Sequence, residues 1–362
     1  AVISDIYRAR APTTPFLDYF WSFRSMHVPV VTLLEAEVPR AAAYHSVSTG
    51  YAGMVAAIAS RRTGRPMLLT EHGIYARERE MELARATWIP ERAADPRLPA
   101  QSVSPLRQLW SRFFLRLSQI AYHQATSIVT LSEVNRQKQL ADGADPERTS
   151  IIPNGVDVDH LAKVMGEHVA REPGQPLRVG FVGRVVPIKD VITFIKAVDL
   201  ALRDARMSVE IIGPAEEDAA YAGRCRDLVA TLGRTGEIKF VGPRPLAEIY
   251  RTLDVVVLTS FSEGQPLVIL EAHAAGVPVI ATDVGACREM LEGTARDARL
   301  GPGGFVTRVA APEETAAALV RFARDPDLVR RMGEAGKARV RMSYTKAALV
   351  EGYRALYRGM VA

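Results

Sequence analysis

The chain has 362 residues, 48% hydrophobic and 24% charged, a balance ordinary for a globular protein with about two sizeable domains. Its 46 Lys and Arg against 41 Asp and Glu leave a formal charge of +5, too diffuse an excess to indicate a nucleic-acid partner. No signal peptide or membrane-length apolar run is visible, and Cys225 and Cys287 lack metal-ligand spacing. A cytoplasmic protein with two buried thiols is therefore expected.

In chain order, "AVISDIYRARAPTTPFLDYFWSF" (1–23) reads as the middle of an amino-terminal domain. "AAAYHSVS" then enters a helix over 49–62, and "RPMLLTEHG" (65–73) is a strand. "SPLRQLWSRFFLRLSQIAYH" (104–123) carries a clean apolar helical stripe, with Arg107, Arg112 and Arg116 but no acid. Such a helix can lie on an anionic membrane, but packing against its own domain is the reading taken. "ATSIVTLS" (125–132) is another strand, and "RTSIIPNGVD" (148–157) ends on a Pro-Asn-Gly turn. A domain boundary is placed just after it, with "AREPGQP" (170–176) as connector.

The second half alternates more plainly. Strands are expected over 177–183, 207–213, 237–242, 253–259 and 277–283, with helices over 190–202 and 219–233. This alternation implies an α/β protein with parallel sheets covered by helices. Ligands of such sheets bind outside the carboxyl ends of the strands, near the point where strand order reverses. Gly183, Gly213, Gly242 and Ser260 fall at those ends. A helix crossing back over the domain junction is expected at 346–360.

Two strand-end loops carry the chemistry. "FVGRVVPIKD" puts Arg184 and Lys189 together, a planar fork and a point charge suited to a diphosphate. "SEGQPLVILEA" puts Glu263 in a loop and Glu271 inside a helix that Pro266 begins. The start of that helix offers free N–H groups to phosphate or sugar oxygens. Glu271 sits in an apolar run, where an unpartnered acid is costly, so it is assigned to a ribose diol and Glu263 to hydroxyls of a second sugar. "LLTEHGIY" places His72 at the end of a first-half strand, with catalytic and structural roles evenly balanced. There is no P-loop motif, no G-x-G-x-x-G after a strand and no metal spacing.

Together "GRVVPIKD", "PNGVD" and "EGQPLVILEAHAAGVPVIATDVGACRE" resemble blocks of the retaining glycosyltransferases of family 4, including their E-x7-E motif in Glu263 and Glu271. "YHSVSTGYAG", "TEHGIYARERE" and "DVGACREMLEG" resemble the PelF-type bacterial exopolysaccharide glycosyltransferases of that family. The resemblance implies the GT-B fold, two Rossmann-like doubly wound domains facing across a cleft. Its parts would be an acceptor domain over 1–160, a donor domain over 174–342 and a final helix over 343–362 packing back on the first. It implies that Arg184 and Lys189 hold the diphosphate, Glu271 the ribose and Glu263 the donor sugar. Backbone from Gly264 through Gln265 and Pro266 to Leu267 would contact sugar and phosphate. Gly183, Gly213, Val241 and Gly242 would border the nucleotide, with His72 close to the transferred sugar. The donor would be a UDP-sugar, bound as substrate rather than as a resident cofactor, and no metal is implied. The acceptor would be a growing polysaccharide, handled in the cytoplasm or at an inner-membrane synthesis complex. The chain departs from the family in lacking a strand and Gly-rich loop before Val28, so a missing first strand is expected. Two other readings stay open: a non-catalytic sugar-nucleotide-binding subunit and a nucleotide-sugar epimerase.

Overall fold

The computed structural model describes residues 2–11, 14–89, 104–166, 168–172 and 174–361. The contacts divide the chain into two compact units, one running to Ile151 and the other from Ile152 to Arg354, with the residues from Ala355 onward grouped with the first. Each unit is built on its own parallel sheet.

The first unit begins with helices Val2–Arg10 and Phe16–Glu35, so the opening segment, for which no element is expected from its sequence, is helical. Its sheet consists of β1 (Tyr44–Ser46), β2 (Met67–Glu71), β3 (Ser127–Thr130) and β4 (Thr149–Ile151), in that spatial order. Every β2 residue is buried, as the continuous run MLLT predicts for a strand covered on both faces. Helix Gly50–Thr63 follows β1 and ends at Gly64, whose left-handed φ of 69° closes the last turn. Helix Pro105–Gln124 buries Leu106, Trp110, Phe114, Leu117 and Ala121, packing against helices Gly50–Thr63 and Tyr75–Arg85. Its apolar stripe is therefore core of the unit.

The second unit carries β5 (Leu177–Val182), β6 (Met207–Ile212), β7 (Ile238–Gly242), β8 (Val255–Leu258), β9 (Val279–Thr282) and β10 (Gly304–Thr307). Their spatial order is β10-β9-β8-β5-β6-β7. The chain winds outward one way from β5 through β7, then returns to β8 on the other side of β5. Strand order thus reverses between β5 and β8, as in doubly wound nucleotide-binding sheets. Side chains alternate across β8: Val255 and Val257 join Phe181, Phe194 and Phe322 on one face, while Val256 and Leu258 join Ile269, Leu270 and Met290 on the other. Full burial of each such side chain contributes about 1.5–3 kcal/mol. The two apolar faces hold the sheet rigid and leave the carboxyl edge to polar loops.

Candidate functional site

At the reversal point the loop after β5 and the loop after β8 meet. Pro187–Lys189 form a single 3-10 turn, and Asp190 then takes a left-handed φ of 47° while its carboxylate caps helix Val191–Ala201 through the Thr193 N–H. Thr259, at the end of β8, donates its hydroxyl to the carbonyl oxygens of Lys189 and Asp190, at 3.2 and 2.8 Å. The Phe261 N–H donates to Ile188 O at 2.9 Å. Neighbouring strands thereby fix the backbone that presents Lys189.

The second loop is locked from below. Thr282 of β9 donates to Ser260 O at 2.7 Å, and the Ala286 N–H to Gly264 O at 2.8 Å. Gly285 has φ 53°, and any Cβ there would collide with the carbonyl oxygens of Glu263 and Gly264. Only glycine lets these two chains approach so closely. Gln265 is buried, and its side-chain oxygen accepts from the Asn154 N–H at 2.6 Å, tying the Pro-Asn-Gly segment to this loop.

Between the loops lies a cavity of about 210 Å³. Of the residues singled out by sequence, Gly183, Lys189, Glu263, Pro266, Leu267 and Glu271 line it. Lys189 Nζ sits 2.5 Å from Glu263 Oε1, which also accepts from the Ser260 hydroxyl at 2.6 Å. Glu271 rises from helix Leu267–Ala274 at the back of the cavity, where Oε2 accepts from the buried Tyr250 hydroxyl at 2.8 Å. Burial pushes the Glu271 carboxyl above its ordinary pKa, and the Tyr250 hydrogen bond works against that rise. The cavity thus joins one ammonium, two carboxylates and a helix start, which together can bind phosphate and polyhydroxyl groups.

The remaining candidates lie elsewhere. Arg184 stands outside the cavity wall, its Nη1 bound to both carboxylate oxygens of Glu217 at 2.6 and 2.8 Å, with both side chains about half exposed. Gly213, Val241, Gly242, Gly264 and Gln265 are also outside the wall. Gly213 packs on the Gly183 backbone so closely that a side chain would collide with Gly183 O. His72 belongs to the other unit, exposed just past β2. Beside it Glu71 is buried and receives Thr49 Oγ1, Tyr122 OH, Gln139 Nε2 and the Tyr75 N–H. Burial raises the Glu71 carboxyl's pKa, opposed by those donors. Ser260 was marked as a strand end but not as a site residue, and Tyr250 and Glu217 carried no sequence signal at all. Each acts through a partner at least three residues away, invisible without the fold.

Residues 176–325 match the family described as Glycosyl transferases group 1. Residues 1–147 match a family described only as a Domain of unknown function (DUF3492). Among curated relatives, the D-inositol 3-phosphate glycosyltransferase of Nocardia farcinica is 31% identical over 244 residues, covering 63% of this chain and 52% of the relative. That of Streptomyces scabiei is 34% identical over 208 residues, covering 54% and 45%. The chain thus spans about half the length of the curated relatives it matches. Among solved structures, HepE of Anabaena in complex with UDP and glucose superposes with a TM-score of 0.64 at 20% identity, covering 92% of this chain and 80% of that one. Sucrose-phosphate synthase of Thermosynechococcus elongatus gives 0.66 at 20% identity, covering 95% and 78%. These likenesses establish the fold, two parallel-sheet α/β domains of the GT-B type, and the cavity lies within the stretch that matches the group 1 family.

Proposed function

We propose that the protein is a retaining glycosyltransferase that moves a hexose or N-acetylhexosamine from a UDP-sugar to a growing bacterial exopolysaccharide. The observation that carries this reading is the convergence of Lys189, Glu263 and Glu271 on one cavity at the strand-order reversal of a group 1 domain. The naming of glycosyltransferases among its relatives and the UDP held by HepE support it. The exopolysaccharide acceptor and the PelF-like specificity rest on the sequence resemblance. An inner-membrane complex as partner rests on it too.

In this reading the acceptor hydroxyl oxygen forms a bond to the anomeric carbon as the bond from that carbon to the diphosphate oxygen breaks. The acceptor proton passes to the departing phosphate on the same face, which preserves configuration. Lys189 and the first turn of helix Leu267–Ala274 stabilise the negative charge that develops on the leaving group, joined by Arg184 once it releases Glu217. Glu263 accepts from hydroxyls of the donor sugar and Glu271 from the ribose. His72 is assigned a role on the transferred sugar.

Calorimetric titration with UDP, GDP and ADP, followed by sugar derivatives of the tightest binder, tests the donor site. UDP binding that falls in Lys189→Ala and Glu271→Ala supports the assignment, whereas binding unchanged in both overturns it. Conversion of the donor alone into a different nucleotide sugar, with no acceptor present, would mean an epimerase. Loss of turnover in His72→Ala with UDP binding intact is the expected result for that residue.

A further inference from the structure

We propose that Tyr250 is a positioning residue that sets the Glu271 carboxylate for a vicinal diol; this deepens the donor-site reading and rests on it. Tyr250 closes the short helix Leu246–Ile249, five residues before β8, and its side chain is fully buried. Its hydroxyl reaches the cavity wall only through Glu271 Oε2, at 2.8 Å. Tyr250 itself is not part of that wall, while Glu271 is.

A glutamate on a helix has three side-chain torsions, and the last is broad. An isolated carboxylate at the back of an apolar helix would sample many planes. The flanking residues Ile269, Leu270, Ala272 and Ala274 are buried and apolar, and none of them can orient it. Tyr250 can, because its ring is held by the core that contains Leu253, Val256 and Ile269, so the phenol hydroxyl is a fixed point. Anchoring Oε2 there fixes the carboxylate plane. Among the described residues Oε1 has no protein hydrogen-bond partner, and Oε2 keeps a second lone pair. Two acceptor positions remain at a set spacing, the arrangement two adjacent hydroxyls require. The same bond offsets part of the desolvation of the carboxylate, which keeps it a strong acceptor.

The test uses the whole protein and calorimetry with UDP, GDP and ADP and with the 2′,3′-dideoxy form of whichever binds most tightly. Tyr250→Phe removes only the hydroxyl. The expected result is about tenfold weaker binding of the ribonucleotide, with binding of the dideoxy form nearly unchanged, so that the preference for ribose collapses. In the Glu271→Gln background, Tyr250→Phe should have no further effect on that preference. A general loosening of the fold would weaken both nucleotides alike and would overturn the proposal, as would a Tyr250→Phe variant that keeps the full ribose preference while Glu271→Ala loses it. Equal binding of ribo and dideoxy forms by the unaltered protein, or no binding of any nucleotide, would instead overturn the donor-site reading itself.

Discussion

The fork of Arg184 is engaged by Glu217, an acid on the loop that follows β6. If Arg184 serves the diphosphate, Glu217 competes with it. Glu217→Ala should therefore tighten UDP binding, by at most about fivefold because an exposed ion pair is worth about 0–1 kcal/mol. Weaker binding in a titration would show that Glu217 does not compete with the ligand for Arg184. His273 offers a different test. It is fully buried, its Nε2 lies 3.1 Å from Gly303 O, and burial pushes its pKa down to about 4. The unfolded value is about 6.5, so between these limits the unfolded chain binds more protons than the folded one. Stability should be fullest above about pH 6.5 and fall by about 3 kcal/mol as the pH drops toward 4. Urea unfolding of His273→Gln, which keeps a donor for Gly303, should show a correspondingly shallower acid loss.

Two elements each depend on one residue in particular. Helix Pro326–Ser343 is fastened by Arg339, which is fully buried, meets Asp297 Oδ2 at 3.1 Å and donates to the carbonyl oxygens of Leu291 and Gly301 at 2.8 and 2.7 Å. Arg339→Ala strands the Asp297 charge and the carbonyl oxygens of Leu291, Gly301 and Glu292, and should cost about 3–5 kcal/mol in a denaturant titration. The turn after β9 leans on Gly285. Gly285→Ala should push the Glu263 loop aside and weaken UDP binding about tenfold or more, beyond the backbone cost of about 1 kcal/mol that a left-handed alanine carries anywhere. Gly64→Ala, in the left-handed region at φ 69° with open space around it, should carry the backbone cost and leave binding intact.

The same scale explains what the sequence revealed. β8 and β5 were legible because VVVL and LRVGFV are short apolar runs rich in β-branched valine and flanked by turn residues, which favours strands over helices. β10 was not, because Gly301, Pro302, Gly303 and Gly304 hide a four-residue strand behind breakers. Helix Phe16–Glu35 was missed since apolar residues surround it and Pro29 interrupts it. Glu263 and Glu271 could be read from their loop and helix, and both reach the cavity. Tyr250 could not be read, since a hydrogen bond across 21 positions leaves no trace in spacing. Nor does a basic residue in a strand-end loop disclose that a neighbouring acid already holds it.

At the scale of the molecule, the cores of the two units are separate clusters. The cavity is lined wholly by residues of the second unit. Hydrogen exchange with and without UDP should therefore show gained protection in the loops at 183–190 and 260–271, and a ligand at 100 times its Kd should stabilise the unit that holds it by about 2.7 kcal/mol. Protection confined to the four-stranded sheet would contradict the assignment. The strand order has a further consequence, for the time at which this site comes into being. Lys189 is translated 74 residues before Glu263, and β8, which pairs with β5, follows β6 and β7 in the chain. Gly285 must then emerge to seat the Glu263 loop. On the ribosome the nascent chain should stay blind to nucleotide through most of its synthesis, until helix Pro326–Ser343, whose Arg339 joins it to the Leu291 and Gly301 carbonyls, has emerged as well.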